Sequence, residues 1–206
     1  FFTWPILFIG QTSTKNSCWK KQYYEKYSHV NFSKLEEINQ TINLNKIDYP
    51  LLHATIFFLT NKERAKRKKE IISWNKNLEI AAFNHSKMMA ELKFFSHNSK
   101  IKKRKEPEDR AKIAGITNPF IAENIAKTPF NSQDTYLSLS KKIVTQWMKS
   151  PGHKSNILSK EAIELGVGVF IIKEREVNYV YSTQNFQWFY LIESTASKDS
   201  SPLGWK

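Results

Sequence analysis

The chain has 206 residues, 40% hydrophobic and 14% aromatic, enough for one packed domain with an extension and too apolar for a disordered polymer. Lys and Arg outnumber Asp and Glu by 32 to 19, a net charge of +13, which favours acidic surfaces such as anionic lipid, cell-wall polyanions or nucleic acid, or else reflects a Lys-rich solvated surface. The single cysteine, Cys18, excludes an internal disulfide and a CxxC zinc site; no Cys/His finger or aromatic RNA-binding signature is present.

The chain opens with an apolar run, Phe1 to Ile9. It is too short to span a bilayer and suits the hydrophobic region of a signal peptide cleaved near Gly10, with a buried N-terminal strand as the alternative. Residues 12–48 are polar and Lys/Asn-rich, with scattered aromatics (Tyr23, Tyr24, Tyr27, Phe32). They read as a basic extension with a helix over 33–42, and whether that extension is cleaved, folded or a docking arm stays open. Pro50 then opens a buried helix through Leu51–Leu59. The clearest helical periodicity runs from Asn75 to Phe94, with Trp74, Leu78, Ala81, Ala82, His85, Met88, Met89 and Leu92 on one face. A loop carries the run Lys100-Ile101-Lys102-Lys103-Arg104-Lys105, and a short helix over 107–114 stops at Gly115. A strand is expected over Ile121–Ala126 and a helix over 134–149, with Tyr136, Leu137, Ser140, Val144, Trp147 and Met148 on one side and Pro151-Gly152 as its end. Two β-rich runs, Gly166–Ile172 and Val177–Phe186, flank a short charged turn and form a hairpin. Helices around a small antiparallel sheet make the fold class α+β, a three-layer α/β/α sandwich. The expected division is 1–11 signal-peptide remnant, 12–48 extension, 49–192 domain and 193–206 polar tail.

Three residues stand out for chemistry. His97 lies just past the end of the long helix, where site residues collect. Glu123 is a carboxylate inside an otherwise buried-looking strand and needs a partner there. His153 follows Pro151-Gly152, expected as a turn that aims the imidazole. Two imidazoles and a carboxylate suit a divalent-metal site with an open position, and equally a proton-transfer site. They suit as well three separate hydrogen-bonded structural residues. His85, on the apolar helix face, reads as a satisfied core histidine. His29 and His53 show no constellation. A serine-hydrolase arrangement would need Ser96 or Ser150, and no Gly-x-Ser-x-Gly elbow is present.

Taken in order, the local motifs resemble one family. They are Thr60-Asn61-Lys62-Glu63-Arg64; Trp74, Leu78, Ala82, His85, Ser86 and Met89 at helical spacing; Phe95-Ser96-His97; and Asp109-Arg110. They continue with Glu123-Asn124-Ile125-Ala126; Trp147 followed by Ser150-Pro151-Gly152-His153 and Asn156-Ile157-Leu158; Gly166-Val167-Gly168-Val169; and Thr183-Gln184 with Phe186. This set resembles the CAP superfamily, or SCP domain, of cysteine-rich secretory proteins, antigen 5 and class 1 pathogenesis-related proteins, in its bacterial branch. The resemblance covers about residues 52–190 and implies an α/β/α sandwich whose cleft carries two His and two acidic residues, often with a divalent cation, zinc foremost. His97, Glu123 and His153 match three of the four. The position of the second acid is Ser150, and the Gly before the Glu is Ala122. The family's disulfides are absent.

Three functions follow as expectations. The first is a secreted or envelope-associated (periplasmic or extracellular) binding domain for lipid or an acidic envelope polymer, with a cleft suited to a cation. It would bind no specific nucleic acid and carry no transmembrane segment. The second is a metal-dependent, protease-like hydrolase with His97 and His153 as ligands and Glu123 as base. In the third, the three residues are structural and only lock helices to sheet. Oligomeric state is open.

Overall fold

The structure, a computed structural model, describes residues 17–188. The expected signal segment 1–11 and tail 193–206 lie outside them. The helices are α1 (Tyr23–Lys26), α2 (Tyr49–Ala65), α3 (Lys76–Glu91), α4 (Pro107–Ile113), α5 (Tyr136–Lys149) and α6 (Pro151–Leu158). The strands are β1 (Ser73–Trp74), β2 (Ile121–Phe130), β3 (Glu164–Glu174) and β4 (Val177–Gln187). They form one sheet in the order β1-β3-β4-β2, with β1 parallel to β3 and the other pairs antiparallel. Helices α3 and α4 cover one face and α2, α5 and α6 the other. The α+β, three-layer architecture is the one expected.

Period-two alternation along β2 decides which layer each side chain serves. Glu123 and Ile125 pair in register with Asn185 and Thr183, on the α3 face. Asn124 and Ala126, one residue out of phase, point towards α2, α5 and α6. The layers close tightly because β3 carries glycine where α3 crosses it. A Cβ on Gly168 would lie 1.9 Å from the Phe83 nitrogen, and one on Gly166 would lie 2.0 Å from that of Glu79. The same closeness lets the Ser86 hydroxyl donate to the Gly168 carbonyl at 2.9 Å.

Beyond the two residues of β1, the outer edge of β3 is covered by α2. His53 Nε2 accepts the Val169 N–H at 3.1 Å, and the Tyr49 hydroxyl accepts that of Ile171 at 3.3 Å. Capping by side chains in place of a strand protects an otherwise exposed edge. It gives His53 a structural role that its local sequence did not suggest.

Residues 17–48, polar on average, place Trp19, Phe32, Ile38 and Ile42 in the main core. The ring of Trp19 meets Tyr23, Tyr24, Tyr27 and Phe58, and Tyr24 stacks on Trp74 at 4.2 Å. The described part of the extension is therefore folded onto the domain. The helix expected over 33–42 is two separate 3-10 turns, Phe32–Lys34 and Glu36–Asn39, parted by extended Leu35.

Two other expectations change. On α5 the buried stripe includes Leu139 and Ile143, with Leu137 and Met148 half-buried at its margin. Pro151 does not end helical structure. Ser150 alone is extended, as a residue before proline prefers, and Pro151 begins α6 at the position where a missing N–H costs nothing. His153 thus sits in the first turn of a helix.

Gly168→Ala should force α3 off the sheet and cost about 3 kcal/mol or more, read as a lower urea midpoint at unchanged m-value.

Candidate functional site

Helix α3 ends at Glu91, where Lys93 adopts a left-handed conformation (φ 51°) and the Phe94 N–H returns to the Met89 carbonyl at 3.0 Å. This helix-ending turn sends Phe95-Ser96-His97 across the α3 face towards Glu123. Glu123 arrives there because strand alternation turns it to that face. The His97 Nδ1–H donates to Glu123 Oε1 at 2.9 Å, since a carboxylate only accepts. The other carboxylate oxygen, Oε2, accepts from the Arg110 Nη2 at 2.7 Å. In the amide orientation that its neighbours require, Asn185 also donates to Oε2, at 3.1 Å.

The Arg110–Glu123 pair is buried, each side chain 2% exposed, whereas the His97 side chain is 51% exposed. Arg110 is delivered by α4, whose start is fixed by Pro107 and a capping box between Glu106 and Asp109. Its other terminal nitrogen holds the loop before α4, donating to the carbonyls of Arg104 at 3.2 Å and Lys105 at 2.8 Å.

His85 belongs to the same cluster. Fully buried on α3, it donates from Nε2 to the Ser96 carbonyl at 3.0 Å, one residue before His97, and that nitrogen stands 3.8 Å from Glu123 Oε1. Its Nδ1 is buried without a hydrogen-bond partner among the described residues. Burial drives its pKa down to about 4, with Glu123 opposing and Arg110 reinforcing the shift. The expected core histidine is therefore neutral and tethers the loop that carries His97.

Across the sheet, fully buried Asn124 donates to the His153 carbonyl and to Gln184 Oε1, both at 3.1 Å, and accepts from Asn156 Nδ2 at 2.9 Å. Gln184 continues to the Thr60 hydroxyl at 2.7 Å. Buried Arg64 donates from Nη1 to the Ile157 and Ser159 carbonyls at 2.7 and 2.8 Å, holding the end of α6 against α2. These bonds fix the helix that presents His153. The His153 pKa is lowered by burial first and then by the nearby charge of His97.

The structure thus joins His97 to Glu123 directly and brings His153 within electrostatic reach of His97. Among the described residues no group of three or more His, Cys, Asp or Glu has an arrangement that could hold a metal ion. Both oxygens of Glu123 are committed to protein donors, and the buried Arg110 charge beside it opposes a cation at that carboxylate. The donor set fits a cation only through the imidazoles. With Nδ1 of His97 bound to Glu123, the remaining Nε2 of a half-exposed ring is left for a ligand, the arrangement that carboxylates give metal-binding histidines. Ser150, at the place of the missing acid, is the hinge between α5 and α6.

Arg110 and Asn185 were not anticipated as site residues. The signal for Arg110 was indirect: a buried Glu requires a donor, and Asp109-Arg110 was one of the ordered motifs.

The profile of the cysteine-rich secretory protein family, CAP, matches residues 57–186. The chain belongs to this family. Over 131 residues it is 34% identical to YlbC of Bacillus subtilis (strain 168), described as an uncharacterized membrane protein, covering 64% of this chain and 33% of that one. A crystal structure of an extracellular SCP-domain protein from Bacillus anthracis (Ames) is similar at 27% identity and TM-score 0.56, covering 72% of this chain and 44% of that one. An outer surface protein of Borrelia burgdorferi shares the fold, at 14% identity and TM-score 0.51, covering 66% and 91%. The chain spans about a third of the length of YlbC. Among the described residues no helix is long and apolar enough to cross a membrane.

Glu123→Ala should cost about 3–5 kcal/mol by stranding the buried Arg110 charge, whereas His97→Ala should cost no more than about 1 kcal/mol at its half-exposed position; urea unfolding of both variants checks the ratio. Because the folded-state pKa of His85 lies below that of a free histidine, the unfolded chain binds more protons between the two values. Stability should be full above pH 6.5, fall as pH drops towards about 4, and level off below that. His85→Gln should remove part of that slope in unfolding free energies measured across this range.

Proposed function

We propose that this CAP domain is a non-catalytic binding module of the cell envelope or exterior. Its cleft between His97 and His153 takes a divalent cation such as zinc through the two imidazoles. Its larger ligand is a lipid or an acidic envelope polymer. The observation that carries this reading is the employment of Glu123. A general base must have a free oxygen near the reacting proton, and both Glu123 oxygens are occupied, one by a buried guanidinium at 2.7 Å. The carboxylate serves better as the partner that orients His97 than as a base or a direct ligand. The net charge of +13 and the similarity to an extracellular SCP-domain protein and to a protein described as a membrane protein support an envelope setting with an anionic partner.

The competing reading is a metal-dependent hydrolase, favoured by the His97–Glu123 pair at 2.9 Å with the ring half exposed. Zinc calorimetry on the intact chain and its His97→Ala/His153→Ala variant separates the cases. Saturable zinc binding lost in the double variant, with no zinc-dependent turnover of peptide or ester substrates, is the expected outcome. Absence of zinc binding removes the cation from the proposal. Turnover abolished by Glu123→Gln replaces the binding module with the hydrolase.

A further inference from the structure

The loop between His97 and α4 contains five cationic side chains in six residues, Lys100, Lys102, Lys103, Arg104 and Lys105. A run like this repels itself and ordinarily disperses into solvent. Here it is held closed. The Ser99 N–H donates to the Lys105 carbonyl at 2.9 Å, and the Arg104 N–H donates to that of Ile101 at 2.8 Å. The Ile101 N–H bonds the Ser99 hydroxyl at 3.1 Å. Arg110, clamped to Glu123, grips the Arg104 and Lys105 carbonyls from inside the fold. Lys100 is itself structural, its ammonium on the Leu92 carbonyl at 2.8 Å. That leaves Lys102, Lys103 and Lys105 exposed on a braced loop.

Among the described residues, the carboxylates nearby do not neutralise them. Glu106 and Asp109 are spent on the capping box of α4, and Glu108 accepts the Ile121 N–H at 3.2 Å. Glu106 reaches Lys105 only at 3.6 Å, between two side chains about half exposed, a contact of little weight. The other basic run, at the end of α2, behaves differently. There Glu63 pairs with both Lys66 at 2.7 Å and Arg67 at 2.6 Å, and Arg64 is buried on backbone carbonyls.

We infer that the 99–105 loop is a preorganised binding rim for a flexible chain of phosphodiesters, a polyol-phosphate polymer, laid alongside the His97 cleft. This rests on the binding-module reading and names its ligand class. Fixing cations before binding reduces the ordering cost of association, and compact ammonium groups suit successive phosphates as point charges. The loop contains no aromatic residue, so it lacks the stacking platform by which proteins hold single-stranded nucleic acid. Its one apolar residue, Ile101, is partly buried and leaves little to insert into a membrane.

The test measures binding of the intact chain to fluorescent poly(glycerol phosphate) at increasing salt. The loop variant is Lys102→Ala/Lys103→Ala/Lys105→Ala, and the charge-matched control is Lys66→Ala/Lys68→Ala/Lys69→Ala. The loop variant should lose about tenfold or more in affinity, with its salt slope reduced by roughly 0.7 per lysine that touches a phosphate, as for a flexible single strand. The control should stay within about twofold, because the same net charge is removed away from the rim. Equal losses in both variants, or no loss in the loop variant, would overturn the inference. So would absence of polymer binding by the wild type, or tighter binding to oligothymidylate or phosphatidylglycerol vesicles. Zinc titration of the wild type keeps the two readings apart: intact zinc binding with no polymer binding by the wild type sinks the rim alone.

Discussion

A carboxylate buried on the face of a small sheet is the constraint around which this site is organised. Left alone, Glu123 would carry a desolvation cost that no single neutral hydrogen bond offsets. It is met instead by a buried guanidinium, a half-exposed imidazole and the side chain of Asn185 directly across the strand pair. Arg110 and His97 each have a second duty. Arg110 fixes the backbone of the basic loop. His97, held by Nδ1 on a half-exposed ring, keeps Nε2 out of the Glu123 contact. His85 adds a tether to the Ser96 carbonyl from within the core. Removing Glu123 would therefore disturb a helix, a loop and the ring of His97 together.

The site lies where the two helical layers meet around the free edge of β2, the last strand of the sheet. Adjacent residues of that strand serve opposite layers: Glu123 receives α4 and the segment after α3, and Asn124 secures α6. Two glycines on β3 set the distance on the first side by letting α3 approach the backbone. Arg64 and the Asn124–Gln184–Thr60 chain set it on the second. Ser150 is the extended residue between α5 and α6. Family membership alone would not have shown how Glu123 is used.

Much of this was legible in the sequence, and for local reasons. The period of apolar residues marked α3, and the alternating run with a charged turn marked the β3–β4 hairpin. The order of short motifs identified the family and, with it, His97, Glu123 and His153. A Glu among apolar strand residues was itself a sign of a buried pair. Errors fell where local signals are ambiguous. A proline between two helical stretches can end one helix or begin the next, and only packing of Ile157 and the Arg64 bonds favours the second outcome for Pro151. Residues 33–42 have helical composition but not the length or uninterrupted backbone to exceed 3-10 turns. Trp19, Phe32, Ile38 and Ile42 are too widely spaced in a polar segment to announce that it is core.

What the sequence by itself determined was the layered fold and the family, and it nominated His97, Glu123 and His153 as candidates, because periodicity and short motifs are properties of neighbours along the chain. Only the tertiary structure decided how those residues are employed. Arg110 reaches Glu123 across thirteen positions, His53 reaches the edge of β3 across 116, and the lysines of the 99–105 loop are braced by a side chain from the next helix. Such pairings are set by the meeting of separate elements in space, and no local spacing encodes which buried group will find which partner.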